Sequence, residues 1–423
     1  MLFTQPTADV AKPLPTLQVP VSSQVMGFDL AGAIARAKEK NPMLRAAKAQ
    51  ILERKGLITT VRADALPQLT LYGKYNKNKH TESSDKGVAL SDNYETKLQL
   101  SQPLFYWGKL DSAVQAAKVG EREAGFGYAT IELDILHGVA KAYIEVLVAK
   151  SELEIAQIRL KTAEQFLANI KAKMEMQTVT KLDLLRAESE YLSVFPENLQ
   201  AEANYKRAVE LLSGQLVLDP SVTLQLSSLG LPDTTVLPPN LPDRSEISQY
   251  KQQEAIHRIK DRVIKSNLRP HFDLNTYCAS AAHNGSELLK RPFGNWRVDI
   301  SMSFSLFDGM RTSGQLAQNR AKLEQVVQTR IDKERTIASE RSNAERELHK
   351  AFAFHKAAVK AYDASLEALN ASREFFEHGL IMSIDLLKAE HTERKQESQR
   401  KRAELGIWTA LFAYRRSYGL PPI

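Results

Sequence analysis

Residues 296–306 read Trp-Arg-Val-Asp-Ile-Ser-Met-Ser-Phe-Ser-Leu, and this stretch decides the fold. Apolar and polar residues alternate strictly, which predicts a β-strand with one apolar and one polar face. The pattern then changes at once, because residues 311–376 contain no proline and only one glycine, Gly314. A helix over this range would be about 100 Å long at about 1.5 Å per residue, far longer than an average globular helix.

The same order of strand and helix occurs earlier in the chain. Residues 94–101 alternate in the same way, and Phe105 stands 202 positions before Phe307. The run Leu-Asp-Leu-Leu-Arg-Ala-Glu at 182–188 recurs 202 positions later as Ile-Asp-Leu-Leu-Lys-Ala-Glu at 384–390. Two landmarks at one offset indicate a tandem duplication of a unit made of a strand hairpin and a long helix.

Each long helix is predicted to pack as a coiled coil. In the first, apolar residues keep a period of about 3.5 residues from Val146 to Met174, and the positions 202 residues later keep the same register. Turns near 175–181 and 377–383 would send each helix back on itself, which gives two helical hairpins. Pro196 would interrupt or kink the returning helix of the first hairpin.

The duplication and the prolines divide the chain into four segments. They are an extended N-terminal strap (1–27), a first repeat (28–217), a proline-rich connector with little regular structure (218–243) and a second repeat (244–423). Asp29 is predicted to cap a helix that breaks at Asn41-Pro42. Polar loops at 77–92 and around 283–295 would join the strands of each hairpin.

Composition narrows the function classes. No run of about 18 apolar residues exists, so any membrane crossing must use strands. The net charge is +7, but Lys and Arg are interspersed with Glu and Asp along the helices, which is typical of solvated faces and gives no nucleic-acid partner. Cys278 is the only cysteine, which excludes an internal disulfide. Residues 1–6 lack the features of a signal peptide, and we expect the chain to begin after a processing site.

Motifs of common enzymes do not occur in the sequence. There is no Walker-type glycine loop, no His-Glu-x-x-His and no Gly-x-Ser-x-Gly. His349 and His355 are six positions apart, so they lie on different faces of a helix and make a poor metal pair. We therefore expect no enzymatic activity, no cofactor and no metal site.

Four strands cannot close a barrel, and an open sheet edge is not tolerated in lipid. The chain therefore either oligomerises or hides its strands in a soluble sheet. Three copies would supply twelve strands, enough for a barrel with an open lumen. The alternative is a soluble coiled-coil scaffold, which explains the heptads and the basic charge but not four strands placed symmetrically in two repeats.

These features resemble the TolC-type outer membrane efflux proteins. The resemblance covers the chain from about Phe28 onward and rests on the repeat of 202 residues and the paired Asp-Leu-Leu-x-Ala-Glu motifs. It implies a mainly α protein with a transmembrane β part, in which a homotrimer forms a 12-stranded barrel in the lipid of the Gram-negative outer membrane and an α-helical tunnel in the periplasm. It also implies a passive exit duct for drug efflux or type I protein secretion. Its partners would be a periplasmic adaptor and an inner-membrane ABC or proton-driven transporter.

The resemblance also implies a pore constriction at the periplasmic end, formed by Asp385, Lys388 and Phe376. Asp385 falls on the position of an acidic ring in the second, inner hairpin, but the residues alone leave open whether it gates the pore or caps the returning helix. Lys388 stands where family members often carry a second acid, which suggests an Asp385–Lys388 pair. Asp183 is the counterpart in the outer hairpin, where capping is predicted.

The hairpin tips are the adaptor-docking points that the resemblance implies. The second tip reads His378-Gly379-Leu380, close to the Val-Gly-Leu-like triplet of the family. The first tip, with Gln177 and Thr178, departs from that triplet. A plain turn is the alternative at both tips, with Gly379 as the helix C-cap.

Overall fold

The computed structural model describes residues 25–81, 88–219, 222–232, 243–282, 294–378 and 380–423. Its helices are α1 (Leu30–Lys40), α2 (Pro42–Ala63), α3 (Lys109–Glu175), α4 (Lys181–Leu216), α5 (Ser245–Lys265), α6 (Arg311–Glu377) and α7 (Ser383–Ser417), with a 3-10 turn at Ser266–Leu268. Its strands are β1 (Val25–Phe28), β2 (Gln68–Thr81), β3 (Val88–Phe105), β4 (Thr223–Leu226), β5 (His271–Ala282) and β6 (Asn295–Ser303).

The helices of the two repeats agree in length and in position, as the duplication predicts. Helices α3 and α6 each contain 67 residues, and α4 and α7 start at equivalent positions 202 residues apart. Each long helix packs against its returning partner, so the two predicted helical hairpins are confirmed. The helix break at Pro42 is also confirmed, with Asp29 and Asn41 as the N-caps of α1 and α2.

Both strand-to-helix junctions use two successive residues with left-handed backbone. These are Trp107 (φ 53°) and Gly108 (φ 74°) before α3, and Gly309 (φ 64°) and Met310 (φ 65°) before α6. Each pair holds one glycine, which adopts this conformation without steric cost, and one residue for which it is strained. The duplicated turn has therefore kept its geometry while the glycine changed place.

A four-stranded antiparallel sheet has the order β2–β3–β5–β6. The first predicted hairpin loop, 77–92, was too long, because β2 and β3 stay paired out to Thr81 and Val88. Cross-strand pairing stabilises this polar stretch, as in the hydrogen bond from Tyr75 to Asp92 at 2.8 Å. In contrast, β6 ends at Ser303 rather than at residue 306, since its partner β5 begins there, at His271.

A second, two-stranded sheet pairs β1 with β4 in parallel. Strand β1 begins within the predicted extended strap and β4 lies within the predicted connector. Residues 1–24, 220–221 and 233–242 of these two segments lie outside the described residues. The Tyr143 hydroxyl lies within hydrogen-bond distance of two carbonyl oxygens, that of Ser227 at 2.8 Å and that of Phe28 at 3.1 Å, and its one proton is shared between them. These bonds fasten the small sheet to α3. The main hydrophobic core lies where this small sheet meets α1, α3 and α4, and it includes Val139, Leu212 and Leu216.

Pro196 neither ends nor divides α4, which runs unbroken from Lys181 to Leu216. The proline removes one backbone hydrogen bond, but α4 is held along α3, and Val194 beside it is buried. Of the predicted coiled-coil positions, Val146, Ala149, Ala163 and Ile170 are buried. In the described part of the chain, no helix is both long and apolar enough to cross a membrane.

Candidate functional site

The four-stranded sheet has one face that is mainly apolar, apart from Gln102 opposite Leu274 and the pair Lys77 and Asp92 beyond Tyr75 and Tyr94. Residues directly opposite in an antiparallel pair project to the same side, so the register assigns each residue to a face. This face contains Leu69, Leu71, Gly73 and Tyr75 (β2), Tyr94, Thr96, Leu98 and Leu100 (β3), Phe272, Leu274, Thr276, Cys278, Ser280 and Ala282 (β5), and Trp296, Val298, Ile300 and Met302 (β6). Along β5 it would rise about 25 Å in a tilted strand, the height of the apolar band of outer membrane barrels.

The large side chains of this face lie open to solvent in the single chain. Trp296 is 74% exposed and Ile300 67%. A contiguous exposed apolar patch of this kind marks a contact with lipid or protein. The apolar face is therefore suited to contact with lipid or with another protein rather than with water.

The opposite face of the sheet is polar. It carries lysine, arginine, carboxylate, amide and hydroxyl side chains on all four strands, among them Lys74, Lys97, Asn275, Arg297 and Asp299. Apolar-out and polar-in alternation is the pattern of barrels that enclose water. Within the described residues, β2 and β6 each have a strand partner on one side only, so both edges of the sheet are open.

The first helical tip is closed by a Schellman motif. Gln177 has left-handed backbone (φ 59°), and the amide of Thr178 donates to the carbonyl of Lys173 at 3.0 Å. This six-to-one bond satisfies a carbonyl that the end of α3 would leave unpaired. The tip is thus a defined turn that exposes Met176, which is 74% accessible.

The second helical tip has the same closing bond. The amide of Leu380 donates to the carbonyl of Phe375 at 2.8 Å, and His378 is the C-cap of α6. Gly379, the predicted C-cap glycine, lies outside the described residues. Leu380 and Met382 are both exposed, so this tip also presents apolar side chains to solvent.

The returning helices start differently in the two repeats. Thr180 caps α4: its hydroxyl oxygen accepts a hydrogen bond from the Asp183 amide at 3.3 Å, and its own amide donates to the Asp183 carboxylate at 3.1 Å. This is a capping box, and the hydrogen bonds from Thr180 hold the pKa of Asp183 below its usual range. Asp183 is therefore the N3 partner of Thr180 at the start of α4.

Asp385 occupies the equivalent position of α7, but Met382 replaces the capping threonine. Helix α7 begins without a side-chain cap hydrogen bond. The structure brings Asp385 and Lys388 together within one chain, with Nζ 3.8 Å from the carboxylate. Phe376 lies one turn before the tip and is partly exposed. Unlike Asp183, Asp385 is thus free of any capping threonine and remains half-exposed.

A buried charge network, which sequence reasoning missed, ties the two repeats together far from the tips. Arg244, almost fully buried, contacts Glu246 and Glu340, both at 2.5 Å. Arg416 then bridges Glu246 (3.0 Å) and Asp134 of the first repeat (2.7 Å). The short separation of Arg244 and Glu246 in the sequence could have indicated an ion pair between them. Their further partners, Glu340 and Arg416, lie far away along the chain.

Two groups of this region have strongly shifted pKa values. Burial raises the pKa of Glu246, but hydrogen bonds from Arg244 and Arg416 outweigh it and lower that pKa to about 2. Burial lowers the pKa of His137 to about 4, and its Nε2 lies 2.8 Å from the carbonyl of Leu420. The network therefore also anchors the end of the chain.

In the described ranges, no group of three or more His, Cys, Asp or Glu residues is placed to hold a metal ion.

An open two-faced sheet joined to two very long helical hairpins defines a channel subunit of the outer membrane type. The outer membrane efflux protein model matches residues 33–216 and 251–419, and the chain belongs to that family. The predicted family and outer membrane location are thereby confirmed, and the soluble coiled-coil scaffold is unsupported.

Individual relatives agree with the family match. The chain is 24% identical over 405 residues to the pyoverdine export outer membrane protein OpmQ of Pseudomonas aeruginosa, covering 90% of this chain and 85% of the relative. It is 22% identical over 391 residues to the outer membrane protein TolC of Vibrio cholerae, covering 87% and 85%. Among solved structures, the CmeC outer membrane channel of Campylobacter jejuni is similar in fold, with a TM-score of 0.82, 13% identity and coverage of 98% and 94%.

Proposed function

We propose that three copies of the chain form the exit duct of a tripartite export system. The observation that carries this proposal is the open sheet with one apolar face, which needs both lipid and further strands. Strand β6 of one copy would pair with β2 of the next, and the alternating strand order makes that pairing antiparallel. Three copies then close twelve strands without an open edge, as lipid requires.

The helices would continue the duct below the barrel. Strands β3 and β6, which precede α3 and α6, run in the same direction, so they end at the same end of the sheet. Both hairpins therefore extend from that end. Each spans about 100 Å at about 1.5 Å per residue. The duct would be passive, with energy supplied by an inner-membrane ABC or proton-driven transporter.

The adaptor would dock at the helical tips, and this role is supported by their exposed apolar side chains, such as Met176 and Leu380. Exposed apolar groups on a rigid turn suit a protein partner. The second tip, His378 to Leu380, would be the principal contact. Gln177 and Thr178 of the first tip would add a second.

Asp385 would form the constriction. Three carboxylates on one axis attract cations and repel one another, and each is partly balanced by Lys388 at 3.8 Å. Phe376 would narrow the same level of the pore. A small-molecule cargo is supported by the relative named for pyoverdine export, and polypeptide secretion is the second candidate.

The state of the purified protein tests the proposal. Full-length protein extracted from outer membranes with detergent should image as a three-fold particle, with a short cylinder above a long helical tube. A water-soluble dimer without a β cylinder would contradict the duct.

A further inference from the structure

One cluster on the polar face of the sheet has no part in the functions described so far. The Lys97 ammonium lies 4.6 Å from the ring centre of Tyr277 and 5.8 Å from that of Tyr72. The Arg297 guanidinium lies 5.8 Å from the same Tyr277 ring. These distances are within the range of cation–π attraction. We call these four residues the tyrosine–cation row.

The row crosses the whole sheet and takes one residue from each strand. Tyr72 of β2 pairs directly with Lys97 of β3, and Tyr277 of β5 pairs directly with Arg297 of β6. Lys97 reaches Tyr277 diagonally between the two central strands. Because the row runs from one open edge to the other, three copies would join their rows into one ring inside the barrel of the proposed function.

The charge of this face is unevenly distributed. Glu95 stands directly opposite Lys74, and Asp273 accepts a hydrogen bond from the Tyr106 hydroxyl at 2.7 Å. By contrast, Lys97 and Arg297 form no ion pair with a carboxylate among the described residues, although Asp299 follows Arg297 on the same face of β6. Their positive charge is shared with aromatic rings, which do not neutralise it.

We propose that the tyrosine–cation row binds aromatic anions on their way through the barrel, a proposal that rests on the proposed function. An aromatic ring would stack on the tyrosines, of which Tyr72 is 50% exposed. Its acidic group would pair with Lys97 or Arg297, as a charge-assisted contact. The row would thus favour aromatic acids over aliphatic anions and over aromatic cations.

Block of single channels in planar bilayers tests this inference. The probe is 1-naphthalenesulfonate, with methanesulfonate and 1-naphthylmethylammonium as comparison ions. In the wild-type channel, the aryl sulfonate should block at a concentration at least tenfold lower than either comparison ion. The Lys97→Gln/Arg297→Gln double variant should lose that advantage, whereas Lys74→Gln, which removes a cation from the same face outside the row, should keep it.

Each result either supports or contradicts a binding site at the tyrosine–cation row. Equal block by all three ions, or full block in the double variant, would overturn the tyrosine–cation row as a binding site. Loss of block in Lys74→Gln to the same degree would replace it by a general effect of charge. The comparison of ions on the wild-type channel stands even where the double variant does not assemble. A protein that forms no channel at all contradicts the proposed function, whereas a conducting channel without selective block contradicts this inference alone.

Discussion

Asp183 and Asp385 show how one duplicated residue acquires two environments. Both lie in the first turn of a returning helix, 202 positions apart. Thr180 engages Asp183 in a capping box, but the equivalent residue before Asp385 is Met382, which cannot donate a side-chain hydrogen bond. The carboxylate of Asp385 is therefore available to a pore, whereas that of Asp183 is committed to its helix.

We expect Asp385→Ala to raise single-channel conductance or weaken cation block, because it would remove three carboxylates from the constriction. Asp183→Ala is the matched control, since it changes the same position of the other repeat. It should leave conductance unchanged and lower the thermal stability slightly through loss of the cap. Bilayer recordings and thermal unfolding would measure both, and identical currents for Asp385→Ala and wild type would remove Asp385 from the gate.

His137 should make the protein less stable in mild acid. Its folded pKa of about 4 lies below the ordinary value of 6.5, so the unfolded chain binds the proton more readily. The free energy of unfolding should therefore fall as the pH is lowered from 6.5 towards 4. Denaturant titrations across this range should show a shallower pH dependence for His137→Gln. The exposed His349→Gln serves as control, and an equal effect of both variants would argue against the buried imidazole as the cause.

Glu246 should be far more important for stability than a surface carboxylate. Replacing it with Gln removes the carboxylate that the buried Arg244 shares with the half-buried Arg416, while Glu340 and Asp134 remain as their other partners. Removing one partner of a buried ion pair costs up to about 3–5 kcal/mol, and the retained partners should keep the loss below that range. The exposed pair Lys206–Glu202 allows a comparison, because Glu202→Gln should cost less than about 1 kcal/mol. Since the folded pKa of Glu246 is lowered to about 2 from 4.5, its contribution is present above pH 4.5 and is lost as the pH falls towards 2. Thermal unfolding of both variants at neutral pH would check the difference, and equal melting temperatures would refute it.

At the scale of elements, the two tips share one backbone turn but differ in side chains. Both close with a bond between the second residue after the cap and the third residue before it. The first tip places a polar Thr178 where the second places Leu380. The first tip in turn places Met176 where the second places His378, so an adaptor would meet the apolar Met176 at the helix C-cap of the first tip and Leu380 at the second tip.

We expect Leu380→Asp to reduce co-purification of the adaptor at least tenfold, because a charge would enter an apolar contact. Thr178→Asp changes the equivalent position of the first tip and should have a smaller effect. The amount of adaptor retained by the tagged channel would measure this, with trimer content as the folding control. Equal retention by wild type and Leu380→Asp would exclude docking through this side chain.

The elements that the sequence predicted well are those with long, regular patterns. The ends of α3 and α6 agree with the predicted turns because no proline interrupts those runs and the period persists for many turns. The outer parts of β2 and β3 were missed because residues 77–81 are polar on both faces and read as a loop. Strands β1 and β4 have four residues each, too few for a period to show. The network of Arg244 and Arg416 depends on partners far apart in the chain, which no local pattern reports.

For the whole molecule, the two faces of the sheet predict opposite tolerance to charge at neighbouring positions. Ile300→Lys places an ammonium on the apolar face and should cost about 2–4 kcal/mol per copy near the membrane centre. Ser301→Lys places it on the polar face and should be tolerated. Fractionation and trimer content of the two variants would test this. Membrane yields that are equal for the two variants would contradict the assignment of the faces.

The open edges of the sheet also determine how the protein must reach its place. A solitary copy that entered hydrocarbon would expose rows of unsatisfied amides along β2 and β6, which lipid does not tolerate. Insertion and association must therefore be one concerted event, with no stable membrane-bound monomer before it. A copy whose β2 or β6 could not pair would consequently prevent closure of every assembly that included it. Such a defect in one gene copy would be dominant over an intact copy.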